Sequence, residues 1–359
     1  MKGPLTVSSV VADRYVVKGW LGAGGMQYVY LANDRLFNRD VALKTPKDDG
    51  GERRFRQSAV MSAKVNHSNV AKTLDYFELP DARPYLVEEQ VAGLDLQQVM
   101  GRGLSYLPPS TCARILHKLA KGLAASHYVE VVHRDLKPSN IMISGGLAFD
   151  EVKITDFGIA KLAEGEIGAW ALDKGAGTSS KTVLGAIPYM SPESIEAFNV
   201  ASKPSDVWAI AAVVYELLSG NLPFGNGLKS VANILHATPP PSPSQINAVQ
   251  FKPLGSELYR LLLRCFQKQP ELRPTADDLV RECEMLCYSV DKYETGIISR
   301  IQNAYTGFIA PERGKGLMYF RQNFYGAFEA KAGTPLWFGR HHGDPSDRAF
   351  PVVCLKTKT

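Results

Sequence analysis

The sequence lacks several features that would assign it to a specialised class of protein. It has no apolar run long enough to cross a bilayer, since the run over 207–218 is too short, so we expect no membrane span. No apolar segment follows residues 1–4 as in a signal peptide. Its cysteines are only five, an odd number that favours a reducing compartment, the cytoplasm, over a disulfide framework. The formal net charge is only +5, so we expect no nucleic-acid partner.

The chain does contain groups suited to phosphate chemistry. Residues 132–140 have the sequence VHRDLKPSN, and residues 155–158 have the sequence TDFG. Asp135 can orient a hydroxyl group and accept its proton, and Lys137 can neutralise a phosphoryl group in transfer. Asn140 and Asp156 offer the oxygen atoms that Mg²⁺ prefers. These residue types in this order indicate phosphoryl transfer.

The two segments resemble those of eukaryotic-like protein kinases, in particular the serine/threonine branch found in bacteria. The resemblance implies an α+β, two-lobed fold with ATP and Mg²⁺ as cofactors and a protein as the acceptor substrate. It places a lead at 1–14, a β-rich N-lobe at 15–91 and a helical C-lobe at 92–290. Asp135 and Lys137 would act in catalysis, and Asn140 and Asp156 would bind the metal.

A glycine-rich segment upstream agrees with this resemblance. Residues 21–30 lie between two β-prone runs, and their glycines allow backbone N–H groups to approach an anion closely. The sequence VALK at 41–44 predicts a strand whose Lys44 contacts the nucleotide phosphates and acts in catalysis. The resemblance implies a nucleotide site made of Leu21, Gly22, Gly24, Val29, Ala42 and Lys44, with backbone groups of Glu89 and Val91 facing the adenine.

Three positions depart from the family pattern. Gln27 replaces the third glycine, so we expect altered nucleotide affinity, and Ala186 replaces a threonine. Ser58 stands where a helix glutamate normally pairs with the lysine corresponding to Lys44. A carboxylate at the back of the pocket, Glu88, suggests the hypothesis that it replaces that partner. The alternative is that Glu88 is protonated or turned outward. These departures motivate a second hypothesis, a nucleotide-binding pseudokinase that acts as an allosteric or scaffold module.

The stretch over 162–182 is rich in Gly, Ala and Ser and predicts an activation loop. Thr178 and Ser180 are the predicted phosphorylation sites, modified by a second copy in a transient homodimer, with Arg134 as the cation that receives the phosphate. The alternative is that they are plain linker hydroxyls.

The C-terminal half continues the resemblance and then changes in character. The resemblance implies an ion pair between Glu193 and Arg273. We also expect Asp206 to be a helix N-cap and, by the resemblance, the anchor of the 133–135 backbone. Residues 291–359 are β-prone and divided by Gly and Pro, which predicts two to four short strands. Because this extension is small, we expect it to pack on the kinase lobe or on a partner.

Overall fold

The computed structural model describes residues 3–23, 27–47, 52–80, 83–157, 185–197, 201–226, 228–290, 292–328 and 331–356. These residues form a β-rich lobe, a helical lobe and a β-barrel. The mixed two-lobed architecture expected from the sequence is therefore confirmed.

The β-rich lobe is a six-stranded sheet with the order β1-β2-β3-β4-β6-β5. Its neighbouring strands are antiparallel. The strands are β1 (Val10–Val11), β2 (Tyr15–Ala23), β3 (Gln27–Asp34), β4 (Arg39–Pro46), β5 (Thr73–Glu78) and β6 (Pro84–Glu89). Helix α1 (Glu52–Ala63) packs on the sheet through Phe55 and Ala59, which contact Leu86.

Strand register brings the chemistry-bearing side chains to one face of this sheet. Ala42 and Lys44 lie two residues apart on β4, so they point to the same side. Glu88 on β6 lies opposite Ala42, and Val29 on β3 lies opposite Lys44. Directly opposed residues share a face, so all four side chains belong to the face that carries Lys44.

The helical lobe surrounds the helix over residues 203–219, which is buried along most of its length. Its helices are α2 (Leu96–Gly101), α3 (Pro109–Tyr128), α4 (Pro192–Glu196), α5 (Lys203–Ser219), α6 (Leu228–Leu235), α7 (Lys252–Cys265) and α8 (Ala276–Met285). A three-stranded sheet of β7 (Gly93–Asp95), β8 (Ile141–Ser144) and β9 (Glu151–Ile154) lies beside them. Within the described part of the chain, no helix has the length and apolar character needed to cross a membrane.

Two structural predictions for this lobe have different outcomes. Glu193 and Arg273 form the expected ion pair, with two oxygen–nitrogen distances of 2.7 and 2.8 Å. Asp206 is not the N-cap of α5, because Ser202 caps that helix through a reciprocal bond with Ser205. Asp206 lies one turn inside the helix, where its carboxylate is turned toward the 133–134 backbone.

Residues 293–354 fold into a closed barrel of five strands, so the prediction of two to four strands was wrong. The strands are β10 (Tyr293–Ile301), β11 (Thr306–Pro311), β12 (Leu317–Phe320), β13 (Pro335–His341) and β14 (Arg348–Cys354). Proline signals strand breaks in a sequence, yet Pro335 begins β13 and Pro351 lies within β14. The barrel order is β10-β11-β12-β14-β13, and only the described β12–β14 pair is parallel.

The barrel packs on the helical lobe, as predicted for the C-terminal extension. Trp337 donates its indole N–H to the Leu147 carbonyl oxygen at 2.8 Å, and its ring stacks on Tyr293. Tyr325 donates its hydroxyl to the Leu218 carbonyl oxygen at 2.7 Å. Both aromatic contacts belong to the same buried cluster as the core of the helical lobe.

Candidate active site

Lys44 is buried between two carboxylates. Its Nζ donates to Asp156 Oδ1 at 2.8 Å and also to Glu88 Oε2. Lys44 and Glu88 are only 4% and 3% exposed, so Glu88 points into the protein and is not turned outward. The structure therefore brings together three residues that the sequence separates by 44 and 112 positions.

The three charges shift one another's pKa values. Burial alone would lower the pKa of Lys44, but the charges of Asp156 and Glu88 raise it, so the lysine stays a cation. Burial, together with the charge of Asp156, raises the pKa of Glu88. Burial also acts against ionised Asp156, but Lys44 and a hydrogen bond from Gln27 lower its pKa. Asp156 is thus the more firmly ionised carboxylate of the two.

Gln27 reaches the same carboxylate from the glycine-rich hairpin. It begins β3, is 5% exposed, and donates its side-chain amide to Asp156 Oδ1 at 2.8 Å. The sequence identified Gln27 only as a departure from a glycine pattern and did not reveal this contact. The signal that could have indicated it is a polar side chain at the start of the strand that follows the glycine-rich segment.

Ser58 also has a partner that the sequence did not reveal. It lies on α1, the helix from which the absent glutamate was expected, and is 3% exposed. Its hydroxyl donates to the Phe157 carbonyl oxygen at 2.7 Å. The helix therefore holds the backbone next to Asp156, whereas Glu88 supplies the carboxylate that contacts Lys44.

The 133–135 loop is fixed by Asp206, as the sequence predicted. Its carboxylate accepts the backbone N–H of His133 at 2.8 Å and of Arg134 at 2.9 Å. Arg134 has φ of 70°, a left-handed conformation that costs free energy in a non-glycine residue. His133 Nε2 lies 2.8 Å from the Thr155 carbonyl oxygen, so the same loop is tied to the segment that carries Asp156.

Asp135, Lys137 and Asn140 form a compact group at this loop. Lys137 Nζ donates to Asp135 Oδ2 at 2.8 Å. Asn140 donates its side-chain amide to the Asp135 carbonyl oxygen at 2.7 Å. Asp135 is therefore held by a cation and keeps one carboxylate oxygen for a further partner, as a group that receives a proton requires.

The predicted nucleotide residues lie along the hairpin, the adjoining strands and the connection to β7. Leu21, 49% exposed, and Gly22 lie at the end of β2, and the space where a Gly22 side chain would project is open. Glu89 ends β6 and Val91 follows it; the Glu89 N–H is used by the Lys72 carbonyl oxygen, so only other backbone groups of this segment can serve adenine. Gly24, Thr178 and Ser180 lie outside the described residues.

The donor chemistry fits a hard divalent cation. Asp156 presents an ionised carboxylate, and its φ of 63° is a strained conformation that the surrounding contacts maintain. The Asn140 amide nitrogen is used by Asp135, which leaves its oxygen as the group available to a ligand. Oxygen donors of this kind suit Mg²⁺.

Comparisons with known proteins agree with this geometry. Residues 15–283 match the family described as the protein kinase domain. The serine/threonine-protein kinase PrkC of Bacillus subtilis is 32% identical over 77% of this chain and 41% of its own length. The serine/threonine-protein kinase PknB of Mycobacterium leprae is 33% identical over 75% of this chain and 42% of its own length. The chain thus spans about two-fifths of the length of these curated relatives.

A solved structure shares the fold. The PknI kinase domain of Mycobacterium tuberculosis aligns with a TM-score of 0.56 and 23% sequence identity, over 79% of this chain and all of that one. The family match ends at residue 283, before the first strand of the barrel at Tyr293.

Proposed function

The chain belongs to the protein kinase family, and we propose that it transfers the γ-phosphoryl group of ATP to serine or threonine hydroxyls of proteins. The observation that carries the proposal is the arrangement of polar groups around Asp135 and Asp156. Asp135, Lys137 and Asn140 lie together on one loop, and Lys44 contacts Asp156 from the sheet above it. Phosphoryl transfer depends mainly on such positioning and charge neutralisation.

Each residue has a role that its surroundings support. Asp135 accepts the proton of the acceptor hydroxyl while the oxygen of that hydroxyl bonds to the γ-phosphorus and ADP departs. Lys137, 2.8 Å from Asp135, neutralises charge on the transferred group. Asn140 and Asp156 would hold Mg²⁺, which when bound neutralises the phosphate oxygens. Lys44 would contact the nucleotide phosphates from its place between two carboxylates.

Glu88 is the positioning residue for Lys44 in this proposal. Most of the lysine's freedom is removed by burial and by its two carboxylate partners, of which Glu88 lies on a central strand of the sheet. The proposal therefore needs no glutamate at position 58.

The proposed regulation is phosphorylation of two hydroxyl groups that the sequence analysis predicts as modification sites. Thr178 and Ser180 would be phosphorylated by a second copy in a transient homodimer, and Arg134 would receive the phosphate by charge-assisted hydrogen bonds. The odd number of cysteines supports a cytoplasmic location.

The test is incorporation of labelled phosphate from ATP and Mg²⁺ into the protein and into a basic protein acceptor. Asp135→Asn is the control, because it keeps the side-chain shape and removes the proton acceptor; we expect a loss of roughly 10²–10⁴-fold. Transfer that persists in Asp135→Asn would contradict the assigned role. Nucleotide binding without any transfer by the unaltered chain would instead favour the pseudokinase. Phosphopeptide mapping locates the modified hydroxyls.

A further inference from the structure

The C-terminal barrel has a connected row of side chains on its outer surface. Arg300 on β10 lies opposite Phe308 on β11, Phe308 lies opposite Met318 on β12, and Met318 pairs with Arg348 on β14. The adjacent residues Ile309 and Leu317 point the other way, into the barrel core. The row therefore crosses four strands on the face that is turned away from the core.

Aromatic rings and guanidinium groups alternate on this face. Arg300 lies over the Phe308 ring at 5.0 Å, and Arg348 lies over the Phe320 ring at 5.8 Å. Phe320 is two residues beyond Met318 on the same face, and both phenylalanines are partly exposed. Within the described part of the chain, no carboxylate pairs with Arg300 or Arg348. Each ring thus has one face covered by a guanidinium group and is partly exposed elsewhere, and the two cations are available to an anion.

The charge of the chain is concentrated in this segment. Residues 292–359 contain 10 Lys and Arg but only 5 Asp and Glu, so they carry the entire formal charge of +5. The rest of the chain is balanced. Seven of these cations and all five carboxylates lie within the barrel residues 293–354, so the barrel itself carries a net charge of +2 and the flanking residues Lys292, Lys356 and Lys358 carry the remainder. Part of the acidic complement is also used internally, since Glu294 and Asp347 both pair with Arg340.

We propose that this face of the barrel, Arg300, Phe308, Met318, Phe320 and Arg348, binds single-stranded nucleic acid. Oligonucleotide-binding folds are five-stranded Greek-key barrels, and they bind their ligands on the face of the second and third strands. In this closed five-stranded barrel those strands are β11 and β12, which carry Phe308, Met318 and Phe320. Bases would stack on Phe308 and Phe320, and phosphates would contact the arginines. An oligosaccharide would use the rings equally well, but, being uncharged, it would form no ion pair with Arg300 and Arg348. The site lies outside the family match, which ends at residue 283.

The test is fluorescence anisotropy of labelled oligonucleotides titrated with the full chain. Single-stranded DNA, single-stranded RNA and duplex DNA of equal length are compared at several salt concentrations. We expect both single strands, or one of them, to bind more tightly than the duplex. Phe308→Ala and Phe320→Ala should each weaken this binding about tenfold through loss of a stacked base. Arg300→Gln should reduce the slope of log affinity against log salt by about 0.7 for one lost phosphate contact.

Phe37→Ala is the matched control. Phe37 is 61% exposed and lies under Arg39 at 5.1 Å, but it belongs to the β-rich lobe. Thermal unfolding of each variant verifies that the fold is retained. Absence of binding at low salt, equal binding of the duplex, or equal loss in Phe37→Ala would each overturn the proposal.

Discussion

Replacement of Glu88 tests whether a strand carboxylate positions the buried lysine. Glu88→Met removes the carboxylate and keeps a side chain of similar length, and Glu88→Gln removes the charge alone. Because Lys44 also donates to Asp156 at 2.8 Å, we expect neither variant to leave it without a counter-ion. A hydrogen bond to a charged group contributes about 1.5–3 kcal/mol. We therefore expect Glu88→Met to lower the free energy of unfolding by about 2 kcal/mol, less than the roughly 3–5 kcal/mol lost when a buried ion pair is fully broken.

The Glu88 variants should lose more activity with ATP than their loss of stability alone would cause. If Glu88 positions Lys44 for the phosphates, kcat/KM for ATP should fall by about tenfold to a hundredfold, because tenfold corresponds to about 1.4 kcal/mol of lost stabilisation. The kcat/KM of Glu88→Gln for ATP should lie between those of the unaltered chain and Glu88→Met, since the glutamine amide oxygen still accepts a hydrogen bond from the lysine. Chemical denaturation and phosphate incorporation at varied ATP measure the two quantities on the same preparations.

A control variant separates positioning from general charge loss. Glu294→Gln removes a carboxylate that pairs with Arg340 in the barrel, so it should leave the KM for ATP unchanged. If Glu88→Met unfolded at the same denaturant concentration as the unaltered chain and kept its KM and kcat, Glu88 would not be the positioning residue for Lys44. Equal changes in the ATP kinetics of Glu88→Met and Glu294→Gln would also exclude that role.

Three further changes test neighbouring contacts. Gln27→Gly removes a hydrogen-bond donor from the predicted metal-binding carboxylate, so the Mg²⁺ concentration for half-maximal activity should fall by up to about tenfold; an unchanged Mg²⁺ titration would contradict this. Ser58→Ala removes a buried bond to a backbone carbonyl and should cost about 1 kcal/mol by denaturation, with Ser8→Ala, at the surface, expected to cost little. Glu193→Gln should lower stability by about 3–5 kcal/mol at neutral pH. Burial disfavours the ionised form of Glu193, but Arg273 lowers the pKa of this carboxyl group below its ordinary value. The difference in unfolding free energy between the unaltered chain and Glu193→Gln should therefore shrink as the pH falls below about 4.3. A difference that stays constant with pH would refute the ion pair as its source.

The sequence predicted the parts of the fold that local patterns encode. The loop at 133–140 and the lysine strand carry their chemistry within a few residues, so their motifs could be recognised directly. The Glu193–Arg273 pair could be expected only because the resemblance supplied its two distant members. Glu88 was a hypothesis drawn from an energetic argument, since a carboxylate in an apolar pocket requires a partner.

Other features depend on long-range geometry that no local pattern contains. Gln27 and Ser58 were each noted for what they replace, but their partners lie 129 and 99 residues away. The barrel was underestimated because its closure requires the parallel pairing of β12 with β14, which two distant segments make together. The excess of cations over residues 292–359 was missed because the charge was averaged over the whole chain.

The contact between barrel and helical lobe bears on how this chain can be divided. The family match ends at residue 283, but the buried surface of the lobe continues into Tyr293, Tyr325 and Trp337. A chain shortened to the matched region would leave the carbonyl oxygens of Leu147 and Leu218 without the donors that now satisfy them. The end of the family match is therefore not the end of a folding unit. Separating the kinase region from the barrel would expose apolar surface that promotes aggregation.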